Sequence, residues 1–450
     1  MVSENLENNS IQAELLNELD PHERLYSNFA LAIFVVFLFF ILFGTKMPFG
    51  EKIWEAESMA TSNVTNQIVF GGLFVCSIIL LVHRKRELFR LIKREKFLTI
   101  FLLWCLVTII WSKYPFVSIK RYVQYFAVIT VCLSVFLNVK DYTQILKVFK
   151  IMLAIYLIIS LGTILTIPGA KDRFGIWRGV APHKNTLGQI SLIAVIFFAA
   201  IFNKDKSLKS RALNTVLIMI GVVLIFGSKS STTIVTFVII LLFSTTVLVD
   251  KFFEPIGIRK TVSLLITFVF FLIFSAIIFM VPEILEALVS STGKDLTFTG
   301  RVDLWADIWE EVQKHPLNGA GFQGYWVITS SKVVQLYEIY PWLPIQAHNG
   351  YLDIINELGF IGIALFALLL INYFVNLAHS KQRQIWKWFI LSAIVINITE
   401  SMFIRPKLAP GVMFLFAYLA LFFSLMKEEV AETKTENRIA YSSKPADQPV

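Results

Sequence analysis

Residues 29–43 read Phe29-Ala30-Leu31-Ala32-Ile33-Phe34-Val35-Val36-Phe37-Leu38-Phe39-Phe40-Ile41-Leu42-Phe43, an apolar run without a charge. Lengthened by its uncharged neighbours, it approaches the roughly 20 residues that a helix needs to cross the hydrocarbon of a bilayer. Comparable runs recur along the chain. They begin near Phe29, Gln67, Phe97, Tyr122, Val148, Thr186, Ala212, Thr232, Val262, Tyr351, Ile385 and Pro410. Such repetition excludes one soluble core. Composition agrees: 56% of the 450 residues are hydrophobic and 16% charged, against roughly 45–50% and 25% in soluble domains. The expected fold is all-α, a polytopic transmembrane helical bundle of about 12 spans, with one large extracytoplasmic loop carrying amphipathic helices.

The charges give this bundle an orientation. Arg84, Lys85, Arg86, Arg90, Lys93, Arg94 and Lys96 crowd one short connection, and an excess of Lys and Arg marks the cytoplasmic side. Both termini then lie in the cytoplasm. The expected division is a cytoplasmic segment 1–27, spans 1–9 over 28–281, a large extracytoplasmic catalytic loop over 282–349, spans 10–12 over 350–426, and a disordered cytoplasmic tail over 427–450. Glu4, Glu7, Glu14, Glu18, Asp20 and Glu23 face a single Arg24 in the first segment. That is the reverse of a signal-peptide leader, so the first span is expected to stay as an anchor. Cys76, Cys105 and Cys132 lie inside apolar runs and are read as free thiols packed as small hydrophobes.

On the outward side, basic residues gather at span ends: Lys171, Arg173, Arg178 and Lys184 in one loop, Lys229 in a tight turn, then Arg301, Arg405 and Lys407. Singly each fits a lipid-phosphate contact; together they suggest an electropositive pocket for a polyanion. Trp177-Arg178-Gly179-Val180-Ala181-Pro182-His183-Lys184-Asn185 leads into an apolar run, and a helix start with free N–H groups favours anions. It also suits a polar connector anchored by Trp177. Ser228, Lys229 and Ser230 join two spans with almost no linker, where hydroxyls bind phosphate or simply cap helices.

Thr299-Gly300-Arg301 opens a run with Val302, Trp305, Ile308, Trp309 and Val312 at helical spacing and acids opposite, an amphipathic helix for the outer surface. Arg301 sits where the helix dipole disfavours a cation, so it needs a partner, either a phosphate or a neighbouring carboxylate. Gly319-Ala320-Gly321-Phe322-Gln323-Gly324 matches a dinucleotide fingerprint in letters only, for no strand precedes it; loop flexibility is the expectation. His348 and Asn349 precede a span in which Asp353, Asn356 and Glu357 share a face with Asn349. Acids inside a membrane usually face a cavity, and an imidazole beside carboxylates suits a general base. Glu400 reads as a buried acid deep in the eleventh span, paired with Arg405 or another outward cation. No Asp-x-Asp, P-loop, HExxH or GxSxG occurs, which disfavours a nucleotide-sugar transferase and a metalloprotease.

In these motifs the chain resembles the O-antigen ligase and polymerase superfamily of bacterial membrane proteins. The resemblance rests on Trp177-Arg178-Gly179 with His183-Lys184-Asn185, on the Ser228–Ser231 turn, on Thr299-Gly300-Arg301 and on Ala347-His348-Asn349-Gly350-Tyr351. It covers about residues 95–425 and departs at Lys229, where many relatives carry Arg. It implies an inverting transferase that needs no metal or other cofactor and works at the outer face of the bacterial cytoplasmic membrane. The implied donor is a polyprenyl-diphosphate-linked glycan, and the acceptor a second glycan or a lipid. The implied catalytic residues are Arg178, Arg301 and His348. Lys184, Asn185, Ser228, Lys229, Ser230, Asn349 and Tyr351 are the expected substrate-binding residues. Membrane lipids, chain-length proteins and export proteins are the expected partners, and nucleic acid is not. A polymerase of O-antigen or exopolysaccharide repeats is the leading expectation, a ligase to lipid A core or another acceptor the nearest alternative. A flippase for the same lipid-linked glycan belongs to a different class, disfavoured by the scarcity of charge in the spans between Gln67 and Leu165.

Overall fold

A computed structural model describes residues 20–44, 64–172, 174–202, 207–244, 301–340, 343–378, 383–405 and 409–442, with isolated positions at 265, 269 and 273. The described residues form helices α1 (Pro21–Phe43), α2 (Val64–His83), α3 (Lys85–Arg94), α4 (Lys96–Val107), α5 (Pro115–Asn138), α6 (Tyr142–Thr166), α7 (Lys184–Phe202), α8 (Leu208–Gly227) and α9 (Ser231–Ser244). After them come α10 (Arg301–Lys314), α11 (Ser331–Ile339), α12 (Gly350–Leu377), α13 (Arg383–Thr399) and α14 (Ala409–Ser442). Among the described residues, eight helices are long and apolar enough to cross a membrane, and Lys96–Trp111, Ser231–Leu241 and Trp386–Thr399 are shorter apolar helices. Every expected span start falls on one of these except the one near Val262, which lies largely outside the described residues, as do Arg173 and Lys407. The chain is a polytopic helical membrane protein.

Two polar clusters mark opposite ends of the bundle. At one, Glu23 at the start of α1 pairs with Arg84 and, at 2.7 Å, with Lys140. Arg94 pairs there with Glu429. That ion pair lies on a stretch of α14 read from sequence as a disordered tail from 427. Glu, Ala and Lys are good helix formers, and they carry α14 on to Ser442. The other end collects the starts of α7, α9, α10 and α12 and the close of α13. The site lies here.

One element shapes that end. α12 is interrupted at Gly359, whose φ of 70° and ψ of −174° are not helical. A break at such a place strands backbone groups that hydrocarbon cannot satisfy. The loop after α10 supplies the partners. Ala320 and Gly321 donate to the carbonyls of Asn356 (2.8 Å) and Glu357 (2.9 Å), while Phe360 and Ile361 donate to those of Pro316 (2.8 Å) and Leu317 (3.2 Å). The Trp104 indole donates to Leu358 O at 2.9 Å and Trp111 to Gly319 O at 3.1 Å. The glycine-rich stretch is therefore packed, not flexible as its composition suggests. Gly319 and Gly321 hold positive φ, and a Cβ on Gly319 would stand 2.5 Å from the Glu357 carbonyl carbon. The Cα-only residue is required because two backbones meet.

α10 and α11 have a small core of their own, built from Leu304, Ile308, Val312, Tyr325, Trp326, Val333 and Leu336. Leu304 takes the buried place expected for Val302, which is 59% exposed. Periodicity found the helix and misjudged its rotation by part of a turn. This small core stands directly before the segment that carries His348.

Candidate functional site

The site is assembled from four separated stretches, each fixed by its own local chemistry. His348 lies in the connection to α12 with φ 51°, a left-handed conformation that costs a non-glycine residue energy and has to be enforced by its surroundings. Enforcement comes from both neighbours. Trp305 donates to Ala347 O at 2.8 Å, and the Ala347 N–H points at both Asp353 oxygens at 3.3 Å. Asp353 is itself buried against Arg405 (2.8 Å) and Trp326 Nε1 (2.7 Å). After His348, Asn349 caps α12, its Oδ1 accepting from the Tyr351 and Leu352 N–H groups at 3.1 Å.

Glu400 is the hub. It lies just past the last residue of α13, outside the spanning helices, not deep within the span as expected from sequence. Its Oε2 is 3.2 Å from His348 Nδ1 and accepts from Gln346 Nε2 at 3.2 Å. Its Oε1 accepts from Asn185 Nδ2 at 2.9 Å and faces Arg301 at 3.8 Å. Arg301 also donates to Thr399 O at 2.9 Å. Burial pushes the Glu400 carboxyl up, but the hydrogen bond to His348 and the neighbouring His348, Arg301 and His183 side chains outweigh it. The group is held below its ordinary range.

Of the cations expected for Glu400, Arg405 or another on the outward side, it is Arg301 that faces it; Arg405 pairs with Asp353 at 2.8 Å and lies 3.9 Å from Glu357. The acids spaced along α12 thus serve a cation from another element, as a single polar face on an apolar helix implies. Arg301 has taken the carboxylate-and-carbonyl alternative for its unfavourable position.

The remaining candidates form the rim. Lys184 and Asn185 open α7, where the Asn185 N–H donates to His183 Nδ1 at 3.2 Å. Trp177 N donates to Gly227 O at 3.2 Å, and the indole lies flat against Gly227, where any Cβ would collide with it. This seats the Arg178 loop on the Ser228–Ser230 turn. Lys229 is exposed there, at φ 46°. Ser228 Oγ donates to Ile225 O at 2.7 Å, and Thr233 donates to Ser230 Oγ at 3.1 Å. One step on, Thr399 Oγ1 donates to Thr232 Oγ1 at 2.8 Å, tying the turn to the residue before Glu400. Arg178 is held apart from the hub by Gly169 O at 2.9 Å, and its buried Nε has no hydrogen-bond partner among the described residues. Tyr351 OH donates to Ile394 O at 2.9 Å.

His348, Arg301 and Asn185 therefore meet at one carboxylate, with the Ser228–Ser230 turn beside them and Arg178 on the adjoining loop. Gln346 and the central place of Glu400 escape a reading of motifs, and His183 stands in a motif that gives it no role of its own. The signal for Glu400 is an acid within the otherwise uncharged stretch from Trp388 to Ile404. Among the described residues, no group of three or more His, Cys, Asp or Glu could hold a metal ion.

The fold and site define a multi-pass helical membrane protein with a histidine, an arginine and a carboxylate gathered at one end of its bundle. Comparison with known proteins carries this further. Residues 215–367 match the family model described as O-antigen ligase (Wzy_C). That region includes Ser228, Lys229, Ser230, Arg301, His348, Asn349 and Tyr351, and leaves out Arg178, Lys184, Asn185 and Glu400. The chain is also 27% identical over 285 residues to the exopolysaccharide production protein ExoQ of Rhizobium meliloti (strain 1021). That match spans 61% of this chain and 63% of the relative. Over these residues the chain is similar to the O-antigen ligase family and to an exopolysaccharide production protein.

Proposed function

We propose that the protein is a glycosyltransferase that consumes a polyprenyl-diphosphate-linked glycan at the outer face of the cytoplasmic membrane and joins repeat units into a polysaccharide. The observation that carries the reading is the convergence of His348, Arg301 and Asn185 on Glu400, at the bundle end opposite the Glu23–Arg84–Lys140 cluster. If the basic loop that follows α2 is cytoplasmic, that convergence faces outward.

The chemistry follows from the residue types. An acceptor hydroxyl gives its proton to a nitrogen of His348 as its oxygen bonds to the anomeric carbon. The bond from that carbon to the phosphate oxygen breaks, and the diphosphate leaves with the electron pair. Attack opposite the leaving group inverts the anomeric centre. Arg301 and Arg178 offset the charge that develops on the leaving diphosphate, a role worth about 10²–10³ in rate per contact. Fixed guanidinium groups supply in this scheme the positive charge that a metal ion supplies elsewhere. Lys184, Lys229 and the Ser228–Ser230 turn line the approach, and lipid tails lie against the apolar helix faces.

The rhizobial relative is an exopolysaccharide production protein, which favours polymerisation. The family description, O-antigen ligase, supports the second reading, transfer of a finished glycan to lipid A core or another acceptor. Glycan length in cells whose only copy carries His348→Ala tests both. Loss of long chains at normal protein abundance is expected, with single repeat units on the final acceptor for a polymerase. Long chains stranded on the polyprenyl carrier would instead identify a ligase. Unchanged long chains would overturn the enzymatic reading and favour a flippase.

A further inference from the structure

We infer that Glu400 is a positioning residue that selects the working tautomer of His348 and supports its positive charge during transfer. This rests on the function proposed above and extends it to a residue outside the region matched by the family model. A carboxylate only accepts hydrogen bonds. With Oε2 at 3.2 Å from Nδ1, Glu400 requires the imidazole proton on Nδ1, which leaves the lone pair on Nε2 as the base. The Gln346 amide, 3.3 Å from Nδ1 and 3.2 Å from Oε2, donates to the carboxylate and holds it from the side.

The groups facing this carboxylate come from every element around it: Arg301 on α10, His183 and Asn185 at the start of α7, Gln346 and His348 before α12. The Gly350 N–H also donates to the Glu400 backbone carbonyl at 3.1 Å, so the two chain segments are joined by backbone as well as by side chains. When the acceptor hydroxyl delivers its proton to Nε2, the imidazolium forms against a carboxylate already in place. The proton comes from the hydroxyl, the electron pair leaves with the diphosphate, and Glu400 keeps its charge throughout. Orientation of a histidine base by a buried carboxylate is an arrangement known from catalytic triads.

The test uses membranes holding the full-length protein as the only copy, with their own lipid-linked glycan as substrate, and records polymer formation from pH 5.5 to 8.5 (about one unit either side of an ordinary histidine and beyond). Glu400→Gln is expected to slow the reaction by up to about 10⁴-fold, the scale at which an amide in place of a tautomer-fixing carboxylate acts. It also moves the acid limb to lower pH, because removing the negative neighbour makes the imidazolium less favourable. Glu400→Asp keeps the charge on a shorter arm and is expected to return the limb toward its normal position at partial rate, which separates positioning from folding. A normal rate and profile in Glu400→Gln, or a slowed rate with the limb unmoved in both variants, would overturn the inference. His348→Ala in the same membranes is expected to be inactive; activity there would remove the base assignment itself, independently of Glu400.

Discussion

Arg301 opens α10, where the dipole of the helix disfavours a cation, and the structure shows what holds it there: a peptide carbonyl at 2.9 Å and a carboxylate at 3.8 Å. The longer contact is weak, so the guanidinium can turn toward a diphosphate without losing its anchor on Thr399. Replacing Arg301 with Ala is expected to lower polymer formation by about 10²–10³-fold at normal abundance. Lys at the same position, a point charge without the planar fork, should recover only part of that, as a rate assay on membranes would show. Arg178→Ala should fall in the same range, since its loop sits against the Ser228–Ser230 turn, whereas full activity would confine Arg178 to anchoring that loop. Arg301 and His348 were legible in the sequence because each broke a local rule, a cation at a helix start and an imidazole beside acids at a span entrance. The central carboxylate was not. Glu400 lies 52 residues from His348, and nothing local distinguishes Arg301 from Arg405 as its partner.

At the scale of elements, the interruption of α12 determines where everything else stands. The glycine letters at 319–324 were visible, but their meaning depends on a second glycine, Gly359, that looks from sequence like an ordinary member of an apolar run. Two backbones exchange four hydrogen bonds across that break, which leaves no space for side chains. Gly359→Ala would place a methyl group on the Leu317 carbonyl at positive φ and should cost upward of about 1 kcal/mol, seen as a lower melting temperature in detergent and lower abundance. Gly71→Ala on α2, where a Cβ meets nothing within 4 Å among the described residues, should leave both unchanged. Equal behaviour of the two variants would show that the seam is not close-packed. The same seam holds Arg405 against Asp353 and Glu357. Arg405→Met leaves both buried acids without their cation and is expected to cost about 3–5 kcal/mol. The melting temperature should recover in part when Asp353→Asn is added.

Across the whole molecule, composition alone established the class, and the apolar runs placed nearly every helix. Handedness, neighbours and the docked loop came only with the structure, because apolar spans resemble one another and a single sequence holds no record of which faces meet. The sidedness of the bundle rests on Lys and Arg near α3 and has a direct test. Lys85 on α3 and Lys332 on α11 are both exposed, and Lys332 belongs to the compact unit that precedes His348. In a background with Cys76, Cys105 and Cys132 replaced by Ala, single Lys85→Cys and Lys332→Cys variants would be treated with a membrane-impermeant maleimide on intact spheroplasts. Labelling of the Lys332→Cys protein at once, and of the Lys85→Cys protein only after permeabilisation, is the expected result. It would place Glu400, His348 and Arg301 where a lipid-linked glycan arrives after crossing the membrane. The reverse pattern would put the site in the cytoplasm, where the same chemistry would act on the donor before it crosses. Polymer length would then be set before export, and the search for a chain-length partner would move to the cytoplasmic face.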